Sequence, residues 1–134
     1  MIPSINTILS TKLTVEIQPS KNYKLHMELD TISGICDQLE AMHQVIYKIL
    51  NTERYQNIIY SWNYGIELVD LYGEPVAYVC SEVQRRITEA LIQDDRINSV
   101  DDFEFDLSER KTVKVEFVVH TIFGELQEEK VVNF

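Results

Sequence analysis

Ser61-Trp62-Asn63-Tyr64-Gly65-Ile66-Glu67-Leu68-Val69-Asp70-Leu71-Tyr72-Gly73-Glu74-Pro75 leads into a run that closes in Asp94-Asp95-Arg96-Ile97, and the reading of this stretch decides the fold. Gly73 marks a turn, and Pro75 starts a helix at a position where a missing N–H costs nothing. Val76, Val79, Cys80, Val83, Ile87, Ala90 and Leu91 then recur as one face of an α-helix. The other face carries Glu82, Arg85, Arg86 and Glu89. Glu82 with Arg86 and Arg85 with Glu89 are four apart, pairs that help a solvated face by about 0.2–0.5 kcal/mol each. Asp94-Asp95 ends the helix and Ile97 opens a strand.

Toward the C-terminus, Val100, Phe103, Phe105 and Leu107 are separated by acidic residues, and Val113, Val115, Phe117 and Val119 alternate after a turn at Ser108-Glu109-Arg110-Lys111. Two long antiparallel strands result. A second turn at Phe123-Gly124-Glu125 sends Gln127 to Phe134 back as a third strand, which the chain end leaves as an edge. Toward the N-terminus, Ile35, Leu39, Met42, Ile46, Ile49 and Leu50 predict a helix capped by Thr31 or Ser33 and ended by Asn51-Thr52. Before it, Leu13, Val15 and Ile17 alternate in Lys12 to Gln18, and Leu25, Met27 and Leu29 alternate in Lys24 to Asp30, with a turn signal at Pro19-Ser20-Lys21-Asn22 between them. The fold class is therefore α+β, with two main helices packed on a small, mostly antiparallel sheet. Residues 1–11 read as an extended arm and residues 12–134 as a single domain.

A chain of 134 residues buries a core without staples. Its net charge of -10, from 12 basic and 22 acidic residues, argues against nucleic acid and anionic membranes as partners. The opening Met-Ile-Pro-Ser-Ile-Asn lacks a basic region before an apolar run, and no apolar stretch approaches the ~18 residues of a membrane span. Cys36 and Cys80 both fall on apolar stripes of predicted helices and read as reduced core thiols, the pattern of a cytoplasmic protein.

The sequence offers little for catalysis. The four glycines stand alone at positions 34, 65, 73 and 124, so no phosphate loop exists, and His26, His43 and His120 make no ligand spacing. Neither a cofactor nor a metal is called for, and the calcium-loop spacing is absent around Asp94-Asp95 and Asp101-Asp102. A glycosidase needs only two carboxylates, and Glu67 or Glu74 with Asp70 or Asp94 are the nominal pair. Glu53 to Tyr60 reads as irregular turns laid over the core. Its tyrosines, with Trp62 and Tyr64, suit packing or an interface better than base stacking, because no basic groove accompanies them.

Five pieces in order carry a resemblance: Leu50-Asn51-Thr52-Glu53-Arg54-Tyr55, Tyr60 to Leu68, Glu82-Val83-Gln84-Arg85-Arg86-Ile87, Asp94 to Val100, and Thr121-Ile122-Phe123-Gly124. Together they resemble the sheath-initiator and baseplate-wedge proteins of contractile phage tails, and most closely the small baseplate proteins of Gram-positive prophages. That family has a Glu-Pro-Arg signature after its long helix; here Asp94-Asp95-Arg96 stands in its place, with only the arginine kept in kind. The resemblance implies a fold like the core domain of a sheath protein, present in six copies. It further implies partners among baseplate wedge proteins, tail tube-side proteins and the sheath protein, which donates strands to the sheet. It implies assembly in the bacterial cytoplasm and residence in the baseplate of a tail particle. Interface residues on this reading are Arg54, Tyr55, Tyr60, Trp62, Tyr64, Arg96, Val131, Val132 and Phe134. The alternative is a cell-wall-degrading, lysozyme-like glycoside hydrolase of the baseplate.

Overall fold

A computed structural model describes residues 20–134 together with Thr14 and Glu16; the expected arm and, apart from those two residues, the strand expected over Lys12 to Gln18 lie outside the described residues. The elements run β1 (Asn22–His26), β2 (Thr31–Cys36), α1 (Gln38–Leu50), α2 (Val76–Ile92), β3 (Ile97–Asp106), β4 (Thr112–Thr121) and β5 (Gly124–Asn133).

The strictest alternation in the chain occupies the centre of the larger sheet. In β4 every second residue, Val113, Val115, Phe117, Val119 and Thr121, is buried, and both neighbours pair with it antiparallel in the order β3-β4-β5. The buried face meets α2 over β3 and α1 over β5, so the core lies between one sheet and two helices. Phe117 stacks on Phe103 with ring centroids 5.6 Å apart. The outer face is wet: Glu104, Glu116 and Glu129 lie in one cross-strand row, and Lys114 bridges Glu116 and Glu129 at 3.0 and 2.9 Å.

Helix α2 forms where the sequence puts it, with Val79, Val83, Ile87, Ala90 and Leu91 buried. Pro75 sits one place earlier than expected, as the cap residue, where its C=O still takes the first helical bond from Val79 N–H at 3.0 Å.

The N-terminal part differs from the sequence reading. The strand expected over Lys24 to Asp30 ends at His26, residues 27–30 turn, and the stretch assigned to the start of the first helix is β2. Asp30 and Gly34 have φ of 49° and 80°, outside helical geometry, while Thr31, Ile32 and Ile35 are β-branched. Helix α1 therefore begins after Asp37, whose carboxylate accepts from Gln38 N–H at 2.7 Å. Cys36 consequently ends a strand and lies on no helix; it is buried, Cys80 is half-buried, and both are free thiols.

Candidate functional site

Two of the charged groups singled out in the sequence, Arg96 and Arg86, join separate parts of the chain. Arg96 makes a fork with Asp94: its Nε and backbone N–H both donate to Oδ1 at 2.9 Å and its Nη2 to Oδ2 at 2.7 Å. A further donor, Nη1, reaches Ser20 Oγ at 3.2 Å, tying the loop before β1 to the start of β3. Burial pushes the Asp94 carboxyl up, but the guanidinium beside it prevails and holds it below the usual carboxylate range.

The helix face read as solvated is so only in part. Arg85 and Glu89 are exposed, but the Arg86 side chain is only 10% exposed. Its guanidinium donates to both Asp70 oxygens, to Glu82 at 3.1 Å and to the Glu67 C=O at 2.9 Å, which pins the 3-10 turn Val69–Leu71 onto α2. Asp70 is also held below the usual range, by the hydrogen bond from Arg86. A glycosidase acid needs its pKa raised. Two of the four nominated carboxylates, Asp70 and Asp94, are pushed the opposite way.

Between the helices, the aromatic segment forms an Ω-shaped loop with a hydrogen-bonded neck. Arg54 N–H donates to Ile66 C=O at 3.1 Å and Ile66 N–H to Thr52 C=O at 3.0 Å, and the Arg54 guanidinium closes on Gly65 C=O from Nε and Nη2. Gly65 has φ of 92°, and a Cβ there would stand 2.5 Å from Thr52 O, so no other residue fits the neck unchanged. The Glu53 carboxylate accepts from Leu68 and Val69 N–H. Tyr60 stacks on Tyr64 at 4.6 Å, with Tyr64 packed against the core. The tip does not lie over the core: Tyr55, Ile58, Ile59 and Trp62 all project into solvent, Ile58 completely. Arg54 is therefore a staple of the neck, and Ile58 and Ile59 are exposed apolar residues absent from the interface set expected from sequence. Two adjacent isoleucines in a segment without periodicity were the available signal.

The other candidate surface is the larger sheet's margin. β5 pairs with β4 through ten consecutive residues, Gly124 to Asn133, without a register shift. β3, on the opposite margin, is broken by shifts at Ile97/Ser99 and Asp101/Glu104, with Asp102 at φ 53°. Of the three C-terminal residues named from sequence, Val131 is half-exposed, Val132 is buried in the core, and Phe134 packs partly against it. β5 also turns two charges inward. Glu128 is buried and its carboxyl is pushed up by burial, with His43 of α1 against it. Burial likewise lowers Lys130, whose Nζ reaches Asn51 Oδ1 at 3.1 Å. Among the described residues no three His, Cys, Asp or Glu side chains are grouped as a metal site.

A two-layer domain whose arginines brace its own loops, and whose distinctive outer features are a stiff-necked apolar loop and a regular strand edge, belongs to the class of structural assembly modules. The comparisons identify which. The profile of the contractile injection system sheath initiator family matches residues 11–124. The chain is also 41% identical over 121 residues, 87% of its length and 85% of the relative's, to the phage-like element PBSX protein XkdS of Bacillus subtilis (strain 168). The chain belongs to the sheath initiator family, as a structural baseplate component of a contractile-tail-like system.

Proposed function

We propose that the chain is the junction at which sheath growth begins: the outer edge of β5 accepts a strand from the sheath protein, while the Ω-loop docks on a baseplate wedge protein beside the tail tube. The observation that carries this is the contrast between the two margins of the larger sheet. A regular ten-residue edge is a template for strand addition, whereas a bulged edge is a poor one. Val131 presents its side chain to the incoming strand, and Val132 and Phe134 support the edge from within. Tyr55, Tyr60 and Trp62 supply anchoring contacts, with Arg54 and Tyr64 holding the loop and Arg96 holding the turn that launches β3. Six copies, formed in the bacterial cytoplasm and carried into the baseplate, complete this reading, with residues 12–134 as the domain and 1–11 as an arm.

Deleting residues 127–134 is too blunt a test, because it removes Val132 from the core. Val131→Asp changes only an exposed position, where substitutions usually stay within about 0.5 kcal/mol. It is expected to leave the fold intact, to let the chain enter baseplates, and to reduce sheath recruitment by about ten-fold or more. Normal sheath polymerisation on such baseplates would exclude the β5 junction. Ile58→Ala with Trp62→Ala should instead block entry into baseplates, since exposed apolar anchors dominate interfaces.

A further inference from the structure

We infer that a polar stripe of α2, formed by Arg86, Glu89 and Gln93, is a positioning seat that sets the direction in which the Ω-loop presents its apolar tip, so that the tip meets its partner already aimed. This rests on the reading of the loop as the docking element and adds what orients it.

The neck alone closes the loop. The backbone bonds joining Thr52 and Arg54 to Ile66, with the Arg54 guanidinium on Gly65 C=O, suffice to hold its two ends together. Further contacts run from the loop to α2 and add nothing to closure. Arg86 donates to the Glu67 C=O at 2.9 Å and to both Asp70 oxygens, just beyond the neck. Glu89 accepts from Arg54 Nη1 at 3.3 Å, and Gln93 Oε1 accepts at 3.3 Å from Nδ2 of Asn63, the residue after Trp62. Gln93 is the C-cap of α2 and keeps helical geometry, so positions 86, 89 and 93, three and four apart, share one face of the helix.

The stripe meets the loop in order: Arg86 takes the base, Glu89 the neck and Gln93 the flank of the tip, over about 10 Å of helix axis. Contacts spread over that length fix the tilt of the loop along the helix. Tyr64, stacked on Tyr60 and packed against the core, fixes its rotation about that line. Arg86 is itself held, since its Nε donates at 3.1 Å to Glu82, one turn back on α2. Glu53, Arg54 and Asp70 lie at the base of the loop and are engaged there, while residues 55–63 carry no charge. Polar groups therefore aim the loop, and apolar groups are left for contact. A tip already aimed avoids the ordering cost that a wandering one meets on binding.

The test lets full-length parent and variant chains compete for entry into assembling baseplates, and follows Trp62, the only tryptophan, by its fluorescence anisotropy decay in the free chain. Glu89→Ala with Gln93→Ala removes two exposed side chains and is expected to keep the parent's denaturant midpoint. Arg86→Gln removes the contact at the base. Each should add a nanosecond loop motion to the Trp62 decay. Each should also lower entry by about five-fold or more, as the share of chains with an aimed tip falls. Arg86→Lys, which keeps a donor but loses the fork, should lie between the parent and Arg86→Gln. Ile58→Ala with Trp62→Ala separates the two readings: normal entry of that pair means the loop is not the docking element, and the inference falls with it. If that pair is excluded while the stripe variants enter like the parent, the loop docks but α2 does not aim it. An unchanged Trp62 decay in the stripe variants overturns the inference, as does an equal loss of entry from Arg85→Gln, whose guanidinium bonds Glu82 and Glu89 on its own helix.

Discussion

The described residues form two antiparallel sheets that use the same residue types to opposite ends. In the three-stranded sheet, Val113, Val115, Phe117 and Val119 vanish beneath two helices; in the hairpin, Tyr23, Ile32 and Ile35 face water. The first sheet is the stability of the protein, and the second is attached to it. The difference teaches that apolar content does not tell core from contact surface. What tells them apart is whether a second layer covers the face among the described residues.

Four measurements would break or sharpen this contrast. Phe117→Ala should have the largest effect, about 3–5 kcal/mol in denaturant unfolding, because it empties the centre of the larger sheet. A loss below about 1 kcal/mol would mean that the core lies elsewhere. Asp94→Asn comes next, at about 2 kcal/mol, less than a fully buried pair because water reaches both side chains slightly. The same pair sets an acid limit. Its folded-state pKa lies below the unfolded value, so its contribution is present above that unfolded value, near 4, and is lost as pH falls through the folded one. The acid unfolding curve of Asp94→Asn should therefore be flatter than that of the parent.

Gln44→Ala should cost about 1–2 kcal/mol at most, by leaving Leu25 N–H and Tyr23 C=O unpaired. Its effect should be local: faster amide exchange in β1 and β2, with β4 unchanged. Ile32→Ser with Ile35→Ser should shift global stability by less than about 0.5 kcal/mol. A larger loss from that pair would show that the hairpin face is already part of the core.

Much of this was legible in the sequence. β4 and α2 were plain because a single period runs unbroken through each, at two and 3.6 residues. The sequence misplaces β1 and β2 because Leu25, Met27 and Leu29 keep alternating through a turn, and the helical spacing of α1 extends back to Ile35. Gly34 and Asp37, a bulge and a cap, held the correct boundary. In β5 the inward Glu128 and Lys130 disguise which face is buried, so the alternation does not separate Val132, in the core, from Val131, outside it. The Ω-loop was visible as an aromatic cluster, but its neck was not, since it depends on Arg54 meeting Gly65 across the loop. Arg86 likewise reads as a solvated cation, because its partner Asp70 lies outside the helix.

The unbroken pairing of β5 makes the sheet margin a ruler. A slip of one residue along β4 would move β5 by about 3.3 Å and turn Gln127, Glu129 and Val131 into the core while expelling Leu126 and Val132. The strand therefore has one permitted phase. Anything laid along its free side inherits that phase, in steps of about 6.7 Å for the same pleat. Copies of the chain arranged in a particle would thus present identical graduations, and the height at which a neighbour is held would be fixed by side-chain parity alone.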